Sequence, residues 1–317
     1  MKQGEITTRT AGIDVAKAKL DVAVHGLEDE LQVTNDEAGL ARLSDWLQAR
    51  QVVRIGIEAS GGYERKAVAW LGAHSFEMVV HQPGEVRSFA RFKRIRAKND
   101  RIDARLIAEA TVHVETVRAA CDPELQALAE RLTAYEQAAD LVAKVKTFLE
   151  HVTLPDLKLQ YQAQLKTLQA WKKALAKDLL ARIAQHPQLK PRLRLLLSLP
   201  GVGPIVAASL VIRMPELGRM RRGEAAALAG VAPFDRDSGD SRGERHIFGG
   251  RARVRRMLYI AALAAKRTDP AARAFAQRLA ANGKKPKVVI VAVCRKLIEA
   301  ANLVLGRGTP WVQLNPA

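Results

Sequence analysis

The sequence predicts an α/β domain with a mixed sheet, followed by an all-α part. Three observations carry that expectation. Over residues 1–123, short apolar runs bounded by turn residues alternate with amphipathic stretches. Over 124–187, leucines recur at three- and four-residue intervals, the seam of a coiled coil or long bundle helix. Over 188–317, apolar helical patterns continue around a proline-glycine hairpin. The chain therefore divides by pattern into 1–123, 124–187 and 188–317.

Residues 10–16 (TAGIDVA) read as a buried strand and 20–25 as a second, alternating strand across a short turn; 31–34 is a third. Residues 36–50 form an amphipathic helix with Leu40, Leu43 and Leu47 on one face and Asn35 or Asp36 as its cap. Strand 52–59 ends in Glu58, Ser60-Gly61-Gly62 breaks it, and helix 63–74 and strand 76–81 follow. Pro83 opens a helical, basic stretch. In the middle segment, Thr153-Leu154-Pro155 separates two long helices, which the pattern predicts to pair between subunits or to pack within the chain.

Composition narrows the partner. Lys and Arg number 51 against 33 Asp and Glu, a net charge of +18, which points to nucleic acid or an anionic membrane. No apolar run reaches transmembrane length and the first nine residues are polar, so the expectation is a cytoplasmic protein that meets nucleic acid. Cys121 and Cys294 lack CxxC spacing and predict no structural zinc. Aromatic content is only 5%, so stacking is not expected to dominate binding.

From Arg87 through Arg105 the chain holds eight Lys and Arg, and the only acids are Asp100 and Asp103. On a helix that spacing puts both carboxylates on one face, one turn apart. Two carboxylates in a basic field suit a divalent cation that meets a polyanion. An N-cap followed by a surface pair explains them equally well. Asp14 and Glu58 end strands, where an acid often caps a turn. Four acids at such positions can converge at one rim of a sheet.

In the last part, Leu199-Pro200-Gly201-Val202-Gly203 and Pro204 join two helices. The turn resembles a helix-hairpin-helix, whose exposed backbone N–H groups suit phosphate, or else it is a tight packing turn. Arg242 to Arg256 contains six arginines and one acid, Glu244. Arg251, Arg253, Arg255 and Arg256 open an otherwise apolar helix against its macrodipole, a conflict that an anionic partner would relieve. Ser238 lies in Asp237-Ser238-Gly239, which reads as a loop.

Three blocks, GIDVAKAKLDV, IGIEASGGY and KNDRIDARLIA, together with Gly230-Val231-Ala232-Pro233, Ser238-Gly239 and Arg255-Arg256-Met257-Leu258-Tyr259, resemble the DEDD-type insertion-sequence transposases, the family numbered one-hundred-ten. The resemblance runs from Gly12 to about Leu305. It implies a RuvC-like, ribonuclease-H-like first domain with the family's four acids at Asp14, Glu58, Asp100 and Asp103. It also implies Mg²⁺ or Mn²⁺ on those acids and Ser238 as nucleophile, with Ser241 the competing alignment. It favours dimerisation by the long helices, with a tetramer as the synaptic complex. The family further implies a noncoding bridge RNA that pairs with donor and target DNA, so that base pairing chooses sequence while the protein reads backbone and shape.

These features together predict a bacterial, nucleoid-associated DNA recombinase. Arg94, Arg96, Lys98, Arg101, Arg242, Arg245, Arg251, Arg253, Arg255, Arg256, Lys284 and Lys285 are the expected nucleic-acid contacts. The competing reading is a metal-dependent junction endonuclease of the Holliday-junction type, in which the four acids activate water and Ser238 is structural.

Overall fold

The computed structural model describes residues 9–95, 100–115, 122–234, 237–238, 241–242 and 245–312, with side chains at all of these except 100–102, 237–238 and 241–242. Arg96, Lys98 and Cys121 lie outside the described residues, as do the side chains of Asp100, Arg101, Ser238, Ser241 and Arg242. The chain forms two compact units, Met1–Cys121 and Asp122–Ala317.

The first unit is a five-stranded mixed sheet with helices on both faces. Its strands are β1 (Thr10–Val15), β2 (Lys19–Val24), β3 (Glu30–Thr34), β4 (Arg54–Glu58) and β5 (Glu77–His81), in the order β3-β2-β1-β4-β5. β1 pairs antiparallel with β2 and parallel with β4; β2–β3 is antiparallel and β4–β5 parallel. The predicted meander is thus β1-β2-β3. The helices are α1 (Glu37–Ala49), α2 (Glu64–Ala73), α3 (Pro83–Phe92) and α4 (Asp100–Val112). Asp36 caps α1, its side chain accepting from the Gly39 N–H at 2.8 Å.

Alternation along the strands decides which face each residue serves. Ala11, Ile13, Val15, Leu20, Val22, Ile55 and Ile57 form one core with Leu40, Leu43 and Leu47 of α1 and Leu71 of α2. The residues between them face α4. Thr10 donates a hydrogen bond to the Ala108 carbonyl, and a Cβ on Gly12 would stand 2.2 Å from both the Ala104 O and the Ala108 N. A Cβ on Gly56 would lie 1.9 Å from the Thr111 hydroxyl. Gly12 and Gly56 are register partners, so α4 rests on a bare patch at the centre of the sheet.

The second unit is mainly helical: α5 (Pro123–His151), α6 (Pro155–Gln185), α7 (Leu189–Leu197), α8 (Pro204–Arg213), α9 (Glu224–Leu228), α10 (Ala252–Thr268), α11 (Pro270–Ala281) and α12 (Pro286–Arg307). Pro stands in the first turn of α5, α6, α8, α11 and α12, where its missing N–H costs nothing. α5 packs against α6 within the chain. Leu128, Leu132, Leu179 and Ile183 belong to the same core as α7, α8, α10 and α12, so the predicted seam is filled internally at that end. The predicted hairpin joins α7 to α8, and Gly201 rests against the Ala261–Ala265 backbone of α10, as a packing turn does.

Four short strands complete the unit: β6 (Pro233–Phe234), β7 (Asp237–Ser238), β8 (Ser241–Arg242) and β9 (His246–Ile247). β6 pairs with β9 and β7 with β8, both antiparallel, making a two-stranded arm. Ser238 was expected in a loop. It lies in a strand instead, because Ser241 pairs with it across two residues, Gly239 and Asp240, a sequence that also suits a hairpin connection.

The seat of α4 leads to the first prediction. In Gly12→Ala the new methyl meets helix backbone rather than a side chain that can swing away, so α4 must shift. Overpacking of this kind costs about 1–3 kcal/mol. Urea unfolding of the full chain should show that loss, whereas Gly26→Ala, with nothing near its Cβ, should show only the cost of its positive φ.

Candidate functional site

The strand register assembles a polar row on the α4 face. Asp14 stands opposite Asp21 in the β1–β2 pair, and Glu58 stands opposite His81 in the β4–β5 pair. Ile13 pairs with Ile57, so the next residues, Asp14 near the end of β1 and Glu58 at the end of β4, share one face of adjacent parallel strands. Each lies two residues beyond a glycine of the bare patch and shares its face. α4 runs opposite to β1: Ala108 meets Thr10, while Ala104 and Ala108 flank Gly12. Two strand residues and four helix residues both span roughly 6 Å. Extrapolated to Asp14, the helix presents its first turn, which begins at Asp100 and includes Asp103.

Asp14, Glu58 and Asp103 are all half-buried. Among the described residues no three acid, histidine or cysteine side chains stand as a ready metal-binding group; the Asp100 side chain is not among them. The donor set itself fits a hard divalent cation, since carboxylate oxygens suit Mg²⁺ or Mn²⁺ better than zinc.

Two members of the row escaped sequence reasoning. Asp21 is 6% exposed, accepts from Gln32 Nε2 at 2.6 Å and pairs with Lys19 at 3.1 Å. It lines a cleft of about 140 Å³ with Glu30, Gln32 and Ala104. His81 is also 6% exposed. Its Nε2 lies 2.9 Å from the Thr111 hydroxyl, which donates its own hydrogen to the Ile107 carbonyl at 2.6 Å. The hydroxyl therefore accepts, and the His81 Nε2 carries the proton of this bond. Burial lowers its pKa below 6.5, against the opposing pull of Glu85. An alternating strand with acid at its polar positions was the only signal for Asp21; for His81 there was none.

In the second unit, the root of the arm is built from backbone and one arginine. Gly230 has φ +71° and Gly250 φ +67°, and a Cβ on Gly250 would lie 2.3 Å from the Gly230 N. Arg255 Nη1 donates to the Gly249 carbonyl at 2.8 Å and the Gly230 carbonyl at 3.3 Å, tying together the two chains that enter and leave the arm. Its neighbours are committed as well. Arg251 makes a two-pronged pair with Glu216 at 2.6 and 2.8 Å and donates to the Arg213 carbonyl. Arg253 and Arg213 both donate to Glu136 Oε2, at 2.7 and 3.0 Å. Arg256 grips Asp140 with both its terminal nitrogens, and that bond holds the Asp140 carboxyl below its ordinary range.

These contacts revise one expectation. The arginines at the start of α10 need no outside anion to offset the macrodipole, because Glu216, Glu136 and Asp140 supply the negative charge. Among the other expected contacts, Arg94, Arg245, Lys284 and Lys285 are exposed. No helix among the described residues is long and apolar enough to cross a membrane.

Two family models match the chain. The DEDD transposase model of the IS110 type covers residues 11–154, and the model described as "Transposase IS116/IS110/IS902 family" covers 193–277. The first spans the sheet with its acids and the second spans the serine arm. A "Pilin gene-inverting protein" of Moraxella bovis is 26% identical over 315 residues, which are 95% of this chain and 96% of that one; its Moraxella lacunata counterpart is equally similar. An "Insertion element IS110 uncharacterized 43.6 kDa protein" of Streptomyces coelicolor is 31% identical over 148 residues, 46% of this chain and 36% of that protein. Both halves thus carry the domains of one class of enzyme, the transposases that cut and rejoin DNA. The chain belongs to the IS116/IS110/IS902 transposase family.

Two predictions follow from this geometry. The folded state disfavours protonated His81, so its contribution to stability is complete above pH 6.5 and declines as pH falls below that value. His81→Gln keeps a donor for Thr111 but cannot titrate; the difference in unfolding midpoint between parent and variant should change between pH 8 and 5.5 in the variant's favour. In the second unit, Glu136 is 6% exposed and holds two arginines, whereas Asp140 is only half-buried and holds one. Glu136→Gln should cost about 3–5 kcal/mol, and Asp140→Asn no more than about 1 kcal/mol, in urea unfolding of the full chain. Equal costs would show that burial of Glu136 is not what sets its importance.

Proposed function

We propose that the chain is a recombinase that cuts and rejoins donor and target DNA through a covalent link to Ser238, guided by a noncoding bridge RNA. The observation that carries this reading is the clamped arm. A nucleophile must be held at a fixed position to gain from proximity, and the contacts of Arg255 with the Gly230 and Gly249 carbonyls would hold the root of the segment that bears Ser238 and Ser241.

In the proposed reaction, Ser238 Oγ attacks the phosphorus of a phosphodiester. The Oγ–P bond forms, one phosphorus–sugar-oxygen bond breaks, and the departing strand leaves as a hydroxyl that takes up a proton in place of the one lost by serine. Rejoining is the reverse, with a hydroxyl of the exchanged strand attacking the phosphoserine, so the number of ester bonds is conserved. A serine hydroxyl is a weak nucleophile and needs help. Asp14, Glu58, Asp100 and Asp103 would hold Mg²⁺ or Mn²⁺, which when bound stabilises negative charge on the attacking and leaving oxygens. Asp21, Lys19 and Gln32 brace the row beside them.

Other features support the remaining parts of the reading. A net charge of +18 with few aromatics suits a protein that leaves sequence choice to base pairing. Exposed Arg94, Arg245, Lys284 and Lys285 would meet phosphate, as would Arg96, Lys98, Arg101 and Arg242. Leu141, Phe148, Leu154, Leu159 and Trp171 are exposed on α5, on α6 and between them, which favours a homodimer through those helices and a tetramer at synapsis. The segments 1–123, 124–187 and 188–317 would then be the metal, assembly and serine parts of one enzyme, working at the nucleoid. The name of the Moraxella relatives extends the reading to inversion of a DNA segment.

Denaturing gels with end-labelled DNA test it. The parent should yield protein covalently joined to DNA; Ser238→Ala should lose the adduct and recombination but keep nucleic-acid binding, while Ser241→Ala retains the adduct. Asp103→Ala should abolish cleavage in Mg²⁺ without weakening binding. Adduct surviving in Ser238→Ala but not in Ser241→Ala would transfer the role to Ser241. Cleavage without adduct in the parent would make water the nucleophile and the protein a junction nuclease.

A further inference from the structure

The arm carries aromatic side chains that no part of the reaction uses. Phe248 is 76% exposed and Phe234 45%. His246, also exposed, stands directly opposite Phe234 in the β6–β9 pair, so the two rings share a face, and Phe248 follows two residues on. The position is fixed rather than trailing. Phe248 adjoins Gly249, whose carbonyl Arg255 holds, and Phe234 follows the Gly230 end of the same clamp by four residues. Folding has left a large apolar ring in water at a rigid point, in a chain with only seven phenylalanines.

We propose that Phe234, His246 and Phe248 form a stacking face for unpaired nucleic-acid bases beside the phosphate engaged at Ser238. The proposal rests on the serine reading and adds a second contact to it. By chain length alone, Phe234 lies no more than about 14 Å from Ser238. That is the length of roughly four nucleotides at 3.4 Å each, so a strand engaged at the serine passes the rings. Charge distinguishes the occupant. Along residues 245–256, Arg251, Arg253 and Arg256 pair with acids and Arg255 binds carbonyls at the root of the arm. Exposed Arg245 adjoins His246. Flat rings beside a cation suit bases on a phosphate backbone better than an apolar protein face. Cutting and exchange of strands leave bases unpaired near the break, and such bases carry exposed π-faces. Either the DNA strand or the guide RNA could supply them.

Anisotropy titrations of the full chain with a 12-nucleotide DNA strand, the RNA of the same sequence, and a strand of equal length with abasic sugars would test this. The parent should bind a base-bearing strand more tightly than the abasic one. Phe248→Leu keeps an apolar side chain but no π-face; it should weaken the base-bearing strand about ten-fold and leave the abasic strand unchanged, while Phe248→Trp restores binding. Phe234→Leu should act in the same direction. Whichever of DNA and RNA shows the base dependence identifies the source. Equal losses on base-bearing and abasic strands, or no loss in Phe248→Leu, would overturn the stacking face. So would an altered sedimentation mass with unaltered strand affinity, which would make the rings a contact between copies of the chain. Failure of the serine reading is separate: it appears as a missing covalent adduct and leaves base dependence intact.

Discussion

The first unit depends on one close contact, helix α4 lying on the sheet at backbone distance. Two register-paired glycines, Gly12 and Gly56, make room for it. Any side chain at either position would lift the helix, and the consequences would spread along the strands. The Thr10–Ala108 bond would lengthen, Thr111 would leave His81, and the first turn of α4 would move away from Asp14 and Glu58. Within the row, the hydrogen bond between His81 and Thr111 helps to hold α4 down. The bare glycine patch with Ile107 over it, and the core that Leu106 and Ile107 share with Val86 of α3, do that work too, and Asp103 is carried to its place by it.

The second unit solves a related problem with charge. An arm of two short ladders has too little surface to hold its own orientation. Arg255 binds both of its roots, and Arg251, Arg253 and Arg256 fix the helix from which Arg255 reaches. Glu136 is the centre of that bracing, since it is buried and accepts from two guanidinium groups at once. The basic character of the stretch thus serves mechanical ends first, and its excess over the nearby acids is left for a polyanion.

Much of this was legible in the residues. Strands β1 to β5 and helices α1 to α3 announce themselves through alternation, glycine breaks and caps, and they fall where local pattern put them. Asp14, Glu58 and Asp103 stand out in the sequence because each lies at or near the end of an element. Asp21 and His81 do not, because their importance lies in pairing register, which joins residues far apart in the chain. The internal partners of the α10 arginines were not legible for a similar reason. Glu216, Glu136 and Asp140 lie 35, 117 and 116 residues away from their partners, and local composition contains no trace of them. Ser238 looked like a loop residue because a two-residue strand is too short to show a period.

The seat of α4 has a consequence for how the chain is made. β1 leaves the ribosome well before α4, and its Thr10 waits for Ala108, 98 residues later, to complete its surface. At ordinary translation rates of about 5–20 residues per second, that interval lasts roughly 5–20 s. During it the glycine patch and the polar ends of β1 and β4 face solvent without a cover. A nascent chain of this protein therefore carries an unfinished sheet through most of the synthesis of its first unit, and that unit closes only when its last helix arrives.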